Sequence, residues 1–325
     1  MGGERMGKTT ITAPVNKIIS FSAVDGFGNR TAIFLQGCNQ NCLYCHNPET
    51  IRHCKACGAC VAACPAGALE LVEASDKYGD GGAQSALQAE GSLPESEKTR
   101  EGTAADGGAA LRRYVTYNAA KCCGCDTCIK TCKNNASPKI RNLTAEEVME
   151  EILPYFPFIN GITTSGGECT MHLDFLTELY GLVKREGKTT YADTNGQIPL
   201  WDREDFLQVT DKTMIDLKAG TEEDHRKLTG MGLYNPVENI RQMARLGKLY
   251  EIRTVVVPGV VDNRRTVELG SSLIAAYPEV RYKLIKFRHY GVREEYQKIQ
   301  EPSDEEMEAL RELAKGNGVK EIMIT

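Results

Sequence analysis

The chain has 325 residues, a formal net charge of −5 and thirteen cysteines. That length suits one large α/β domain with a small accessory one, and the acidic balance, with no aromatics interleaved among basic clusters, excludes a nucleic-acid-binding field. No apolar stretch approaches the ~20 residues of a membrane span and no N-terminal segment reads as a signal peptide, so a cytoplasmic protein is expected, its cysteines serving as metal ligands or catalytic thiols rather than disulfides.

Residues 1–16 are expected as a flexible leader. Within them Gly2-Gly3-Glu4-Arg5-Met6-Gly7-Lys8-Thr9 spells the phosphate-binding pattern G-x4-G-K-T. That pattern works between an entering strand and a leaving helix, and here β-prone Thr10-Ile11-Thr12 and Pro14 follow instead, so the match is read as chance. An apolar run at 31–36 (Ala32, Ile33, Phe34, Leu35) then predicts a buried strand that delivers Cys38 at its C-terminal end. Cys38, Cys42 and Cys45 stand at C-x3-C-x2-C spacing. Three thiolates on one tight loop can hold three irons of a 4Fe–4S cluster, which normally takes four cysteines; the shortfall leaves one iron open to a small molecule. A zinc loop completed by His46 is the alternative, made awkward by the adjacency of His46 to Cys45.

A cysteine-rich insert is expected at 53–137, between barrel segments 17–52 and 138–325. Cys54, Cys57, Cys60 and Cys64, followed by Pro65, and Cys122, Cys125, Cys128 and Cys132 both read C-x2-C-x2-C-x3-C. In two-cluster bacterial ferredoxins the fourth cysteine of each run ligates the other cluster. That rule assigns Cys54, Cys57, Cys60 and Cys132 to one 4Fe–4S cluster and Cys122, Cys125, Cys128 and Cys64 to the second. Lys133 rather than proline follows Cys132, which predicts a looser exit turn there. The stretch at about 73–111, rich in Gly, Ala, Ser and Glu and without periodicity, is read as a flexible linker, with a partner-binding segment as the alternative.

From residue 142 onward strands and helices alternate. Thr144 with Glu147 forms a capping box for a helix. Strands are predicted at 161–165, 189–192, 212–217, 251–257 and 282–287, with a short last one at 319–324 and helical patterns between them. Alternating βα units imply a parallel sheet. Counting the strand before Cys38, six carry candidate chemistry, so the expected fold is an α/β, incomplete (β/α)6 TIM-type barrel with an inserted two-cluster ferredoxin-like domain.

Polar groups gather where these strands end, the catalytic face of a barrel: Ser165-Gly166-Gly167-Glu168, Asp193-Thr194-Asn195-Gly196, Asp216-Leu217-Lys218 and Arg288-His289. Gly166 and Gly167 would let backbone approach a ligand, and Glu168 can accept hydrogen bonds from an ammonium group. Lys218 brings a positive charge suited to a carboxylate. Arg253, on an apolar strand, either faces the ligand or forms a rim ion pair.

The three-cysteine spacing with Tyr44 before the last cysteine resembles the radical S-adenosylmethionine (SAM) enzymes. The phrase Leu43-Tyr44-Cys45-His46-Asn47-Pro48-Glu49-Thr50 narrows the resemblance to glycyl radical enzyme activating enzymes. With the two ferredoxin runs, Ser137-Pro138-Lys139-Ile140, Asp216-Leu217-Lys218-Ala219, Leu228-Thr229-Gly230, Pro258-Gly259 and Phe287-Arg288-His289-Tyr290-Gly291-Val292, the chain is most similar to their YjjW-like branch. The resemblance implies three 4Fe–4S clusters and S-adenosylmethionine bound at the open iron. It implies reductive cleavage to a 5′-deoxyadenosyl radical, which takes hydrogen from a glycine Cα of a partner glycyl radical enzyme. It places Gly166-Gly167-Glu168 at the amino group of S-adenosylmethionine, Lys218 at its carboxylate and His289 near its nucleoside. Cys169-Thr170 follow Glu168 where many relatives have proline, so Cys169 reads as a packing residue or as a thiol near the radical path. Asp193, Thr194, Met214 and Asp216 resemble the family's monovalent-cation site for Na+ or K+; the two aspartates could instead hold Lys218 or peptide backbone. An electron donor such as flavodoxin or ferredoxin, an anaerobic host and a monomer in the absence of the partner are also expected. The rival functions are a radical SAM enzyme acting on a small molecule or another peptide, and a ferredoxin-type electron carrier, which would leave the open cluster unexplained.

Overall fold

A strand covered on both faces reads as an unbroken buried run, and β2 (Arg30–Leu35) is such a run, buried at every position but Phe34. It is the second strand of a computed structural model that describes residues 10–75 and 111–325. The chain enters through β1 (Thr12–Ser22), passes along β2, and forms α1 (Ala59–Ala63), β3 (Leu69–Ser75), β4 (Leu111–Tyr117) and α2 (Thr127–Thr131). Next come β5 (Arg141–Thr144), α3 (Ala145–Ile152), β6 (Gly161–Gly166), α4 (Leu173–Arg185), β7 (Thr189–Thr194), α5 (Glu204–Val209) and β8 (Lys212–Asp216). The chain closes with α6 (Glu222–Thr229), α7 (Tyr234–Arg245), β9 (Leu249–Val256), α8 (Asn263–Ile274), β10 (Arg281–Lys286), α9 (Asp304–Gly316) and β11 (Glu321–Ile324).

The large sheet runs β11-β10-β9-β8-β7-β6-β2-β1-β5. From β2 to β11 all neighbours are parallel, while β1 pairs antiparallel with both β2 and β5. The parallel strands therefore include β11 beside the six expected to carry chemistry. Helices bridge successive parallel strands, as βαβ geometry requires. Leu176, Leu179 and Val183 on α4, Ile240 and Met243 on α7, Val267 and Ile274 on α8, and Met307 and Leu310 on α9 join one buried core with Ile33, Ile162, Ala192, Ile215, Ile252 and Leu284 of the strands. The Thr144–Glu147 capping box forms as expected, with Thr144 N donating to Glu147 Oε2 at 2.8 Å and Glu147 N to Thr144 Oγ1 at 3.1 Å. At the N-terminal end of the parallel strands Arg30 is buried, donating to Thr163 Oγ1, Thr189 Oγ1 and Thr189 O at 2.8–3.1 Å and lying 3.8 Å over the Tyr191 ring. That end is plugged, which leaves the C-terminal ends for chemistry.

Two expected boundaries move. Residues 12–16 are not leader but the start of β1: Ala13 and Val15 are fully buried, and Val15 pairs with Leu35 on one side and Arg141 on the other. Pro14 is tolerated because its carbonyl still accepts Gln36 N at 2.8 Å, and a proline lacks only the donor. The match to a phosphate-binding loop at 2–9 lies outside the described residues. The linker also begins later and ends earlier than composition suggests. Residues 73–75 and 111 belong to the β3–β4 hairpin, with Glu73 opposite Arg113 and Ser75 opposite Leu111; residues 76–110 lie outside the description.

The hairpin and the two short helices build the insert. Its halves repeat closely: left-handed residues fall at Ala56, Gly58 and Gly67 in the first and at Gly124, Asp126 and Asn135 in the second. Cys64 and Cys132 end α1 and α2 with nearly the same backbone, φ −78° and ψ 108° against φ −78° and ψ 106°. The looser exit expected after Cys132 is therefore absent. The exit turn is held by Asn135 N donating to Cys132 O at 3.1 Å, as Gly67 N donates to Cys64 O at 3.3 Å, and proline is not needed for it.

Candidate active site

The three-cysteine loop hangs from the end of β2 and is closed like a staple. Gln36 Nε2 donates to Glu49 O and Arg52 O at 2.7 and 2.6 Å, Gly37 N to Thr50 O at 2.8 Å, and Cys38 N to Ile51 O at 3.1 Å. From α6 the carbonyls of Thr229 and Leu228 accept Asn41 N and Leu43 N at 3.0 and 3.1 Å. From beyond β10 Arg293 donates to Cys42 O at 2.8 Å and Asn41 Oδ1 at 3.0 Å. Sequence reasoning did not assign roles to Gln36, Leu228, Thr229 or Arg293. The last three stand in phrases, or next to phrases, that carried the resemblance, and only long-range contacts reveal what they hold.

Burial dominates the electrostatics of the loop. It pushes the Cys42 thiol up to about 11 against the opposing pull of Lys218, and pushes Cys38 up with help from Glu168. Cys45 is likewise raised, chiefly by burial. Only the thiolate ligates metal, so these side chains become good ligands when a bound cation repays their desolvation and releases their protons. The surrounding polar atoms point to the same occupant. Among the described residues Gln40 Nε2, Tyr44 Oη, Arg293 Nε and His225 Nε2 are buried without a hydrogen-bond partner, and the first three belong to the loop or its staple. An unpaired buried donor or acceptor costs about 1–3 kcal/mol, so a group bound beside the loop that supplied these partners would be stabilised there.

The donor set fits a cubane cluster better than zinc. The loop offers three cysteines and no fourth, a shortfall that suits a cluster with one open iron and not a closed tetrahedral zinc site. His46, the alternative fourth zinc ligand, uses Nε2 on Arg288 O at 3.0 Å.

Glu168 lies directly beside the loop, but the two glycines before it do not act as expected. A Cβ on Gly166 would strike the Leu35 backbone, and one on Gly167 the Gly37 carbonyl. Their close approach is to β2 and the cysteine loop rather than to a ligand, with Gly167 N donating to Leu35 O at 2.9 Å and Glu168 N to Gly37 O at 2.8 Å. Glu168 is buried; its Oε1 accepts from Thr170 N, Thr170 Oγ1 and Thr194 Oγ1 at 3.0, 2.6 and 2.7 Å, and its Oε2 from Asn195 N at 2.6 Å. Burial raises its pKa against these bonds. Asn195, unassigned from sequence beyond its place at a strand end, turns its Nδ2 toward Cys38 Sγ at 3.7 Å and Asn39 Oδ1 at 2.8 Å.

Lys218 donates to Asp216 Oδ2 at 2.8 Å. Burial alone would lower its pKa, but Asp216 with Cys42 and Tyr44 outweighs that and raises it well above normal. A fixed ammonium therefore stands next to Cys42. Tyr44 packs against Phe287 and His46, ring centroids 6.3 and 6.4 Å apart.

The four residues of the expected cation site have other partners. Asp193 Oδ2 takes Arg253 at 2.8 Å and Ser165 Oγ at 3.0 Å, Asp216 takes Lys218, Thr194 serves Glu168, and Met214 Sδ lies 2.9 Å from Arg253 Nη2. Burial pushes Asp193 up to about 6 against Arg253. Arg253 also binds Glu251 at 2.7 Å, and Glu251 binds Arg281 at 2.6 Å, so Arg253 is an interior ion-pair residue rather than a rim one. His289 points its ring nitrogens at Ile299 O (2.7 Å) and Glu301 (3.1 Å), not at the cysteine loop. Cys169 is fully buried, its thiol donating to Asp193 O at 3.3 Å and Thr164 O at 3.5 Å, which makes it a packing residue.

In the insert one cavity is lined by Cys64 of the first run together with Cys122, Cys125 and Cys128 of the second, with Cys123, Tyr117, Asp126 and Lys139 around them. Cys54 and Cys60 in turn sense Cys132 across the repeat. Each run thus has the fourth cysteine of the other nearby, and Cys60 also lies near Cys128. The insert joins the sheet beside the cysteine loop through Ser137 N, which donates to Glu49 O at 2.8 Å.

Comparison with known proteins agrees with this chemistry. The radical SAM superfamily model matches residues 120–269, and the 4Fe-4S dicluster domain model matches residues 53–136. The chain is 27% identical over 335 residues to a glycyl-radical enzyme activating enzyme of Haemophilus influenzae, spanning 96% of this chain and 97% of that protein. It is 27% identical to the indoleacetate decarboxylase activating enzyme of Tractidigestivibacter scatoligenes, spanning 95% and 96% of the two chains. To the pyruvate formate-lyase 1-activating enzyme of Escherichia coli K12 it is 35% identical over 129 residues, 38% of this chain and 52% of that one.

Proposed function

We infer that this chain, a radical S-adenosylmethionine protein similar over nearly its whole length to glycyl radical enzyme activating enzymes, is the activating enzyme of a glycyl radical enzyme. The observation that carries the reading is the partly buried three-cysteine loop at the strand ends, with no fourth cysteine and three unpartnered buried polar atoms beside it. When bound, the cluster and S-adenosylmethionine supply the hard step, one-electron cleavage of the sulfonium to a 5′-deoxyadenosyl radical that takes hydrogen from a glycine Cα.

The protein's part is to bind, orient and keep water out. Cys38, Cys42 and Cys45 would hold three irons of the cluster, and the missing fourth cysteine would leave room for S-adenosylmethionine. Lys218, already a fixed ammonium, faces its carboxylate; Glu168, rigid in its bonds to Thr170, Thr194 and Asn195, retains acceptor capacity on Oε2 for its amino group. Tyr44 and Phe287 wall the site with apolar surface. A peptide loop of the partner enters at the strand ends, where a partial barrel open at its edge leaves a wider mouth than a closed one. The eight cysteines of the insert would hold two further clusters, three in all, which would take electrons from a carrier such as flavodoxin or ferredoxin. The barrel is taken as 12–52 and 138–325 and the insert as 53–137.

The test is direct. The reduced protein, given S-adenosylmethionine and its cognate partner without oxygen, should generate a radical on the partner with a doublet electron paramagnetic resonance (EPR) signal. The doublet should collapse to a singlet when the glycine carries deuterium at Cα. Absence of a partner radical, with rapid turnover on a small molecule instead, would move the chain to another radical SAM reaction.

A further inference from the structure

Of the four buried polar atoms without a partner among the described residues, three belong to the cysteine loop or its staple, and the fourth is His225 Nε2 on α6. Five of the eight residues of α6 are charged, and only His225, Leu228 and Thr229 are buried. A helix with so little apolar surface adds little to the core. What α6 contributes is its C-terminal end, where the last carbonyls of a helix lack intrahelical partners. Here Leu228 O accepts Leu43 N at 3.1 Å and Thr229 O accepts Asn41 N at 3.0 Å. These two bonds fix the backbone on either side of Cys42.

Two side chains clasp that end of the helix. Gly230, at φ 82°, turns the chain out of α6, its N donating to Arg226 O at 2.8 Å. Met231 is then tied back at both backbone groups: its N donates to Thr229 Oγ1 at 3.1 Å, and its O accepts from His225 Nδ1 at 2.8 Å. The Thr229 hydroxyl in turn donates to His225 O at 2.8 Å. A carbonyl only accepts, so Nδ1 carries the ring proton and Nε2 the lone pair. The ring is fully buried, and burial lowers its pKa, which favours this neutral form. The imidazole therefore spends its one donor on residue 231.

We propose that His225 is a positioning residue for the reaction: through Nδ1 it closes the 229–231 turn, aims the Leu228 and Thr229 carbonyls at the cysteine loop, and so keeps Cys42 in place beside Lys218. Lys218 lies on the connection that leads into α6, so one element sets both the ammonium and the loop it faces. The inference rests on the three-cysteine loop being the S-adenosylmethionine site, not on the identity of the partner. A wild-type protein that binds no S-adenosylmethionine would fail that premise, whereas the variants test His225 itself.

The experiment is hydrogen exchange of the iron-loaded protein under nitrogen, read by mass spectrometry on peptides covering Asn41 and Leu43 relative to α4, which reports overall stability. S-adenosylmethionine affinity is measured on the same proteins by equilibrium titration. Asparagine ends its side chain at the place of Nδ1 and glutamine at that of Nε2, so His225→Asn can keep the bond to Met231 O and His225→Gln cannot. His225→Gln and His225→Phe should speed exchange at Asn41 and Leu43 about tenfold and weaken S-adenosylmethionine binding by roughly the same factor. His225→Asn should stay within about threefold of the wild type in both. His225→Asn exchanging as fast as His225→Phe, or His225→Gln as slowly as the wild type, would overturn the inference. So would faster exchange with unchanged S-adenosylmethionine affinity. Should His225→Phe lose iron, the asparagine and glutamine variants decide alone.

Discussion

The loop at the end of β2 and the insert beside it both present cysteines at short spacing, and their surroundings differ in kind. In the insert eight cysteines complete one another across a repeat, and sulfur is met by nearby donors: Thr127 leads in bringing Cys125 down to about 7, and Gly124 in lowering Cys122. On the loop three cysteines have no fourth beside them, burial pushes all three thiols up as it does Cys54, Cys60 and Cys128 of the insert, and Gln40 Nε2, Tyr44 Oη and Arg293 Nε next to them are left without a partner. A site that supplies all its own ligands is built to hold a cluster and pass electrons. A site that leaves a ligand position and several donors unused is built to take a small molecule.

Removing the loop's cysteines breaks the comparison most completely. Cys38, Cys42 and Cys45 replaced together by alanine should abolish cleavage of S-adenosylmethionine and leave about eight of about twelve irons, those of the insert; residual cleavage in that variant would refute the assignment. Replacing Lys218 by methionine removes the ammonium beside Cys42. Loss of one charge-assisted bond worth about 1.5–3 kcal/mol should weaken S-adenosylmethionine binding roughly 10- to 100-fold by equilibrium titration, with the iron count retained.

Asp193 gives a smaller, pH-dependent effect. Its folded pKa is raised, chiefly by burial, to about 6 from an ordinary 3.8, so the folded state binds the proton more tightly than the unfolded one. Stability from this group is present below about pH 4 and falls as pH rises through about 6. Asp193→Asn should lack that fall, the gap between the two unfolding curves widening by about 1–3 kcal/mol across this window; parallel curves would show that Arg253 fully offsets the burial.

Replacing 76–110 by a short Gly/Ser turn tests whether the insert depends on that segment. Because the β3–β4 hairpin already pairs Ser75 with Leu111 and closure entropy grows slowly with length, all insert iron should be retained and the melting temperature should change little. Loss of insert iron would show the segment to be structural. The smallest effect is expected from salt identity. With Arg253 and Lys218 on the two aspartates, S-adenosylmethionine affinity should be equal in sodium, potassium and a bulky organic cation at one ionic strength. A clear preference would restore a cation at Asp193 and Asp216.

What was legible in the sequence was what local spacing encodes. The cysteine runs, the Thr144–Glu147 box, the parallel strands and the polar groups at their ends all appear where periodicity and spacing put them. Pro14 hid the start of β1, because tolerance of a proline depends on which neighbour needs its N–H. Gly166 and Gly167 signalled close approach correctly, but sequence does not say to what, and the answer is Leu35 and Gly37. For Arg253 the sequence leaves a ligand and an ion pair both open, and for His289 only the resemblance suggests a place; their partners, Asp193 and Glu251 for one and Ile299 and Glu301 for the other, are set by tertiary packing. The staple of Gln36, Thr229 and Arg293 is likewise a product of contacts remote in sequence.

The central claim is that the hydrogen taken at this site comes from a glycine of a partner protein. The most direct measurement follows that hydrogen: the partner is prepared with glycine deuterated at Cα, the reduced protein and S-adenosylmethionine are added without oxygen, and the 5′-deoxyadenosine is weighed by mass spectrometry. One deuterium in each 5′-deoxyadenosine, formed one for one with the protein radical, is the predicted result. 5′-Deoxyadenosine without deuterium, formed in the presence of the deuterated cognate partner, would contradict it.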